Sequence, residues 1–444
     1  MTARHAARPF RDAAFAVLVS TLVVVGCMPP LPAPASGRPA TPGGAATPTA
    51  SAASPSASGP AVSPTATPDA ATTYATIERQ VVAIRGLQPK APVEPKVLDK
   101  AELKLHVEKE FRKDNPPEIV AANERLLKGL GLFPSGASLA DLYVELLGSQ
   151  VAGFYSPQDK ALYVVSRSDA LGPIERVTFA HEFTHALQDQ TYDLKTFDLA
   201  EVGQGDRGLA RLSLIEGDAV LVQTEWTKGN LTAAEAVELF RAALDPEALK
   251  ILERMPPILR ESLGFPYDAG LRFVMRLQGR GGWAAVDTAF RKPPASTEQV
   301  LHPEKYDAGE APVAVDIPDD LPARMGPGWK SSLEDTLGEF QLGVWLRTAA
   351  DRALVANAAA AGWGGDRVAL LEGPDGAWAI ALVTDWDTAG DAVEFADAAG
   401  VVVTKLGGPA TVGSQPGSKR VTVLIGSDFD AAGRLDAVLG NTGI

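Results

Sequence analysis

The sequence is short of both sulfur and imidazole. Its 444 residues include one cysteine, Cys27, and five histidines. A single cysteine excludes an intrachain disulfide and a cysteine-rich zinc ribbon. A metal site in this chain would therefore have to be built from histidine, aspartate and glutamate side chains.

Positive charge is also scarce. Lysine and arginine total 41 against 55 acidic residues, which gives a net charge of −14. A general nucleic-acid binder needs a basic face, so the composition predicts no nucleic-acid partner. The hydrophobic fraction of 45% and the charged fraction of 22% are typical of a globular protein.

Long apolar runs are absent beyond the N-terminus. There, Arg4, Arg8 and Arg11 precede an uncharged, mostly apolar stretch at residues 13–26, which is shorter than the roughly 20 residues of a membrane span. This pattern predicts an export signal at residues 1–26. Residues 24–27, Val-Val-Gly-Cys, resemble a lipobox, which implies that Cys27 is lipidated and anchors the exported chain to a bacterial membrane. The alternative is an ordinary secretory signal with an incidental cysteine.

A tether follows at residues 27–75. It holds 11 of the 34 prolines, many Ala, Ser and Thr residues, and two charged residues, Arg38 and Asp69. Such a composition cannot bury enough apolar surface to offset chain entropy. We expect the folded part to begin near residue 76.

The remaining sequence predicts an α+β protein with two modules, at 76–325 and 326–444. The first reads as helices up to residue 150, a hairpin over 151–165, and helices over 173–190, 207–227 and onward to about 290. A proline-rich irregular stretch covers 293–328. The second module reads as one helix over 332–358, a helix near 388–404, and strands near 367–373, 378–386 and 421–426.

The chemistry is concentrated in one pentapeptide, His181-Glu-Phe-Thr-His185. Residues four apart lie on one helix face, so both imidazoles can reach one ion. Catalytic zinc takes neutral imidazole nitrogens and leaves a position for water. Glu182 would then lie beside that position, where it can accept a proton from the attacking water and pass it to a leaving amine. The alternative is a chance match with two surface histidines.

A third ligand is predicted at Glu216. Four apolar residues lie one or two turns away on its helix face: Leu209, Leu212, Ala219 and Val220. A carboxylate on an apolar stripe needs a cation or strong donors. The alternative partner is an arginine, Arg207 or Arg211. The adjacent Gly217 costs helix stability, which predicts a close helix–helix approach.

The sequence leaves open the roles of two other carboxylates, Asp218 and Asp189. Asp218 could be the ligand itself, or could accept a hydrogen bond from the ring N–H of a ligand histidine. Asp189, four residues after His185, could do the same. The alternative for both is a helix-end or surface carboxylate.

The HExxH motif with a glutamate from a following helix resembles the glutamate-zincin metallopeptidases, or gluzincins. The stretches 181–190 and 216–219 are similar to those of bacterial exported and lipoprotein members of this group, as are 151–155, 296–306 and 362–366.

The resemblance implies a zincin-like module with a small antiparallel sheet, an active-site helix and a helical second half. It implies His181, His185 and Glu216 as Zn²⁺ ligands and Glu182 as the catalytic base. Thirty residues separate His185 from Glu216, more than in the thermolysin-like branch.

Two further roles are expected around such a site. The oxyanion of the tetrahedral intermediate needs a donor, for which Tyr267, Tyr306 and His302 are candidates. The hairpin at 151–165 could bind an extended peptide by strand addition, or could be an ordinary sheet hairpin.

The sequence therefore predicts a lipid-anchored extracytoplasmic zinc peptidase that acts on a peptide or protein substrate. The alternative from another class is a non-catalytic envelope lipoprotein that uses the same scaffold for binding or assembly. An amidase acting on wall peptides would use the same chemistry.

Overall fold

A computed structural model describes residues 69–150, 153–165, 171–350 and 353–439. The predicted signal peptide, Cys27 and residues 28–68 of the predicted tether lie outside these ranges. The predicted tether boundary at residue 75 was wrong, because Asp69 caps a helix that begins at Ala70 and buries Tyr74. Within them, the chain is an α+β protein with two sheets, as predicted. None of the helices in these ranges has the combination of length and apolarity that a membrane crossing requires.

The N-terminal part contains four helices and a small sheet. The helices are α1 (Ala70–Arg85), α2 (Lys100–Asp114), α3 (Pro117–Gly129) and α4 (Leu139–Gln150), and the strands are β1 (Pro95–Leu98), β2 (Gly153–Ser156) and β3 (Ala161–Val165). Strands β2 and β3 form the predicted antiparallel hairpin.

The expectation of a purely antiparallel sheet was wrong, because β1 pairs with β3 in parallel and the strand order is β1-β3-β2. Strand β1 falls in a stretch with prolines at 89, 92 and 95. Proline removes a backbone donor and disfavours helix in the residue before it, which leaves this stretch extended.

Five helices follow and form the centre of the molecule: α5 (Pro173–Tyr192), α6 (Gly205–Asn230), α7 (Ala233–Ala243), α8 (Pro246–Arg254) and α9 (Pro257–Arg291). Helix α5 begins at Pro173, where the missing N–H of proline costs nothing. It is buried from Val177 to Asp189 and packs against α1, α6 and the small sheet.

Helices α6 and α9 cross in backbone contact, as Gly217 predicted. A Cβ at Gly217 would lie 2.2 Å from the carbonyl oxygen of Gly270, and a Cβ at Gly270 would lie 2.2 Å from that of Ser213. Only glycine permits this separation, and the crossing fixes the helix that carries Glu216.

The predicted irregular stretch contains three short helices: α10 (Thr297–Leu301), α11 (Pro303–Ala308) and α12 (Leu321–Met325). The chain then forms β4 (Lys330–Asp335), α13 (Gly338–Arg347), α14 (Ala353–Ala360), β5 (Trp363–Glu372), β6 (Trp378–Trp386), α15 (Ala389–Leu406), β7 (Ala410–Ser414), β8 (Arg420–Gly426) and α16 (Phe429–Leu439). The five strands form an antiparallel sheet in the order β4-β5-β6-β8-β7.

The single helix predicted over 332–358 was wrong. Its start is strand β4, which pairs with β5 and buries Leu333. Gly338 has φ of 72°, a left-handed conformation that interrupts a right-handed helix. The helical remainder is divided between α13 and α14.

One hydrophobic core connects the N-terminal helices to this second sheet. Phe133 and Tyr143 belong to the same buried cluster as Leu370 and Ile380. The indole N–H of Trp345 donates to the Leu130 carbonyl oxygen across this boundary, at 3.0 Å. The five-stranded sheet therefore packs directly on the N-terminal helices.

Candidate metal centre

Helices α5 and α6 bring three potential ligand atoms together. The Nε2 atoms of His181 and His185 are 3.0 Å apart, and they lie 3.2 and 3.5 Å from Oε2 of Glu216. Tetrahedral zinc with bonds of about 2.0–2.1 Å requires ligand atoms about 3.3 Å apart. The three side chains, which are 0–6% exposed, could therefore hold a metal ion.

The charge balance of the three side chains also suits a cation. Burial alone would raise the pKa of Glu216, but His185 and His181 lower it to about 2. Burial alone would lower the pKa of His185, but Glu216 and Glu182 raise it to about 9. The site thus has a negative potential that attracts positive charge.

Neither of the two arginines considered as partners of Glu216 pairs with it. Arg211 donates to the Phe197 carbonyl oxygen, and Arg207 pairs with Glu201. Oε1 of Glu216 is buried and has no hydrogen-bond partner among the residues that the structure describes. An orphaned, buried carboxylate oxygen beside two imidazoles fits a metal ligand.

Two glutamines orient the histidine rings. The Nδ1 atoms of His181 and His185 lie 2.8 Å from Oε1 of Gln223 and of Gln188, respectively. With these amide orientations, the neutral rings that bind a metal carry the proton on Nδ1 and present the Nε2 lone pair toward the shared centre. Sequence reasoning missed both glutamines, although Gln188 lies three residues after His185 and Gln223 lies seven after Glu216, on matching helix faces.

Asp218 does not play either of the roles considered for it. Its Oδ2 accepts a hydrogen bond from Nε2 of Gln188 at 2.8 Å, and its Oδ1 accepts one from Nε of Arg85 at 2.8 Å. It contacts the amide that holds His185, and no imidazole in the described structure. The alternative of a surface carboxylate also fails, because Asp218 is fully buried.

Asp189 accepts hydrogen bonds from the Tyr155 hydroxyl at 2.9 Å and from the Leu194 amide at 3.0 Å. It thereby joins the end of α5 to strand β2 and to the loop after the helix. In the described part of the chain it has no bond to either histidine of the site.

Glu182 is buried beside the site with one oxygen fixed. Its Oε2 accepts a hydrogen bond from the Tyr155 backbone amide at 2.8 Å, whereas Oε1 lacks a partner in the described ranges. Burial raises the pKa of this carboxyl to about 8. One oxygen of Glu182 therefore remains available to accept a proton.

The three oxyanion candidates are separated by the fold. The ring of Tyr267, on α9, lies 6.4 Å from that of His181. Nε2 of His302 pairs with Glu339 at 2.9 Å, and the Tyr306 hydroxyl donates to the Lys292 carbonyl oxygen at 2.8 Å. Of these candidates, Tyr267 is the one that the structure places near a ligand histidine.

A second group of carboxylates, from Glu298, Glu310 and Asp387, surrounds the ammonium of Lys305. Lys305 forms an ion pair with each of the three carboxylates, so their proximity is explained without a metal ion.

Comparisons with known proteins bear on the C-terminal part alone. Residues 326–442, which contain the five-stranded sheet, match a family model described as a domain of unknown function (DUF8575). No curated protein matches the chain, and no solved structure does. The residues of the metal centre lie outside the matched range.

Proposed function

We propose that this protein is a zinc-dependent peptidase of the gluzincin type, with a zincin-like module around α5 and α6. The observation that carries the proposal is Glu182, a buried carboxylate next to the three ligand side chains, with one oxygen held by a backbone amide and the other without a partner in the described ranges. A purely structural metal site has no use for such a group.

The residues present fit zinc better than a harder cation. Two imidazole nitrogens and one carboxylate are a donor set of catalytic zinc sites, whereas calcium and magnesium prefer oxygen ligands alone. When bound, zinc would supply Lewis acidity that lowers the pKa of a water molecule and polarises the substrate carbonyl.

Glu182 would carry the proton through the reaction. It accepts a proton as the water oxygen bonds to the carbonyl carbon, and it delivers that proton to the amine nitrogen when the C–N bond breaks. Burial raises the pKa of this carboxyl, which makes it a better proton acceptor than a solvated carboxylate.

The position of strand β2 suits an extended peptide substrate. Among the described strands, β2 is an edge of the small sheet, and the amide of Tyr155 on this strand points to Glu182. A peptide added along this edge would therefore run past the catalytic carboxylate. The substrate is a peptide or protein, and the composition favours no nucleic-acid partner.

We also propose that the peptidase acts outside the cytoplasm, held at the bacterial membrane by lipidated Cys27. The supporting observations are the signal-like residues 1–26 and the position of the chain's single cysteine. The substitution Cys27→Ser should move the protein from the membrane fraction to the soluble fraction. A variant that stays with the membrane would refute this anchor.

The activity is tested with Glu182→Gln. Bound zinc is measured by elemental analysis, and hydrolysis of a broad peptide library is measured for the wild type and the variant. We expect zinc to be retained and hydrolysis to be lost, because the amide binds no proton. Glu175→Gln, the same change in the first turn of α5, should leave both unchanged.

Other results would contradict the proposal. A wild-type protein that binds zinc and cleaves no peptide favours the alternative of an envelope lipoprotein that uses this scaffold for binding or assembly. A Glu182→Gln variant with full activity would remove Glu182 as the base. Hydrolysis restricted to wall peptides would identify an amidase with the same chemistry.

A further inference from the structure

A buried chain of side chains runs from the end of α1 to the metal centre. Arg85, the last residue of α1, donates from Nε to both carboxylate oxygens of Asp218, at 2.8 and 3.0 Å. Asp218 accepts from Gln188, and Gln188 accepts from His185, each at 2.8 Å. We call Arg85, Asp218 and Gln188 the relay.

The orientation of the Gln188 amide is fully determined by its neighbours. A glutamine amide nitrogen has two hydrogens, and both have acceptors here: the Ile215 carbonyl oxygen at 3.0 Å and Oδ2 of Asp218 at 2.8 Å. The amide oxygen is then the only group left to face His185. In the neutral ring that a metal ion requires, Nδ1 of His185 is therefore the protonated nitrogen and Nε2 carries the lone pair.

Asp218 is in turn held by Arg85. Both side chains are 0% exposed, so each ion needs the other to offset its desolvation. Arg85 is also held from α9, because its Nη2 lies 2.8 Å from Asp287 and its guanidinium lies 4.8 Å from the ring centroid of Trp283. Asp287 accepts a hydrogen bond from the Tyr192 hydroxyl, and it makes none with Gln188 in the described structure.

We propose that Arg85 and Asp218 are positioning residues that select the metal-binding tautomer of His185 by fixing the Gln188 amide. This inference deepens the proposed function and rests on it, since it assumes that a metal ion binds to His181, His185 and Glu216. If the carboxylate is lost, Gln188 can turn its NH₂ toward Nδ1, which puts the ring proton on the Nε2 atom that the metal needs. Helix α1, the first described element, is then part of the metal site.

The test compares two carboxylates that hold the same guanidinium. Asp218→Asn removes the charge that orients Gln188 with little change in shape. Asp287→Asn, the matched control, removes the other partner of Arg85 and leaves Asp218 between Arg85 and Gln188. The zinc affinity of each full-length variant is measured by titration against a competing chelator, and the thermal unfolding midpoint is measured on the metal-free protein.

We expect Asp218→Asn to weaken zinc binding at least about tenfold, in the range found for groups behind metal ligands. Asp287→Asn should lower the metal-free unfolding midpoint but keep zinc affinity within about twofold of wild type. Arg85→Met should weaken zinc as Asp218→Asn does. If Arg85→Met fails to fold, the isosteric Asp218→Asn variant still tests the proposal.

The proposal is overturned if Asp218→Asn binds zinc as tightly as wild type. It is also overturned if the two aspartate variants weaken zinc equally, because that would indicate general loss of stability, or if the wild type binds no zinc. Peptide hydrolysis is assayed separately. A protein that shows the expected affinity difference but cleaves no peptide would refute the peptidase and leave the relay intact.

Discussion

Replacing Gly217 by alanine should force α6 and α9 apart and weaken both the fold and the metal centre. The new Cβ would lie 2.2 Å from the Gly270 carbonyl oxygen and 2.8 Å from the Leu271 amide nitrogen. Ordinary carbon–oxygen contacts are about 3.3–3.6 Å, so the two backbones must separate by about 1 Å. No side-chain rotation can relieve this clash, because both contacting groups are backbone.

The expected change in the free energy of unfolding follows from two opposing effects. Overpacking costs about 1–3 kcal/mol, and a clash between backbones belongs at the upper end. Alanine recovers about 1 kcal/mol of helix propensity relative to glycine. We therefore expect the free energy of unfolding to fall by about 2 kcal/mol.

The matched control is Gly264→Ala, also within a helix. Gly264 lies in α9 and is exposed, and a methyl group added there would have no atom within 4 Å apart from the neighbouring backbone of its own helix. In this variant the free energy of unfolding should rise by up to about 1 kcal/mol. The free energies of unfolding of the two Gly→Ala variants should thus differ by about 3 kcal/mol.

Urea unfolding of the chelator-treated full chain, followed by circular dichroism, measures this difference. Zinc titration then tests the site, because Glu216 adjoins the crossing and would move with α6. A Gly217→Ala variant as stable as Gly264→Ala would refute the backbone contact between α6 and α9.

Three further outcomes test the metal centre itself. Glu216→Gln should reduce zinc affinity by more than the about 10–100-fold typical of groups behind the ligands, and an unchanged zinc affinity would remove Glu216 as a ligand. Tyr267→Phe should retain zinc and lower kcat, by as much as about 10²–10³-fold if its hydroxyl binds the oxyanion; an unchanged kcat would exclude that role. Zinc added to chelator-treated protein, at about a thousand times its Kd, should raise the free energy of unfolding by about 4 kcal/mol; an unchanged unfolding midpoint would contradict a site of this kind.

Local features of the fold were predictable, because they depend on neighbours a few residues apart. The Pro173 start of α5 and the hairpin of β2 and β3 were predicted and are confirmed. The close approach at Gly217 is also confirmed, although the sequence did not indicate which helix it meets. Strands β1, β4 and β7 were missed. Strand β1 pairs with β3 and β4 pairs with β5, each distant in sequence, and such pairing has no local signal. Strand β7 pairs with the next strand, β8, but none of its five residues is buried, so it lacks a clear apolar pattern.

The sequence by itself determined the types of ligand available and the spacing that places His181 and His185 on one helix face. It also pointed to Glu216, because a carboxylate on an apolar stripe needs a partner. The tertiary structure decided that Glu216 meets the two imidazoles, that Gln188 and Gln223 orient them, and that Asp218 holds Gln188. These relations join α1, α5, α6 and α9, and the geometry of a contact between helices depends on how they pack, which the periodicity of each helix alone does not specify.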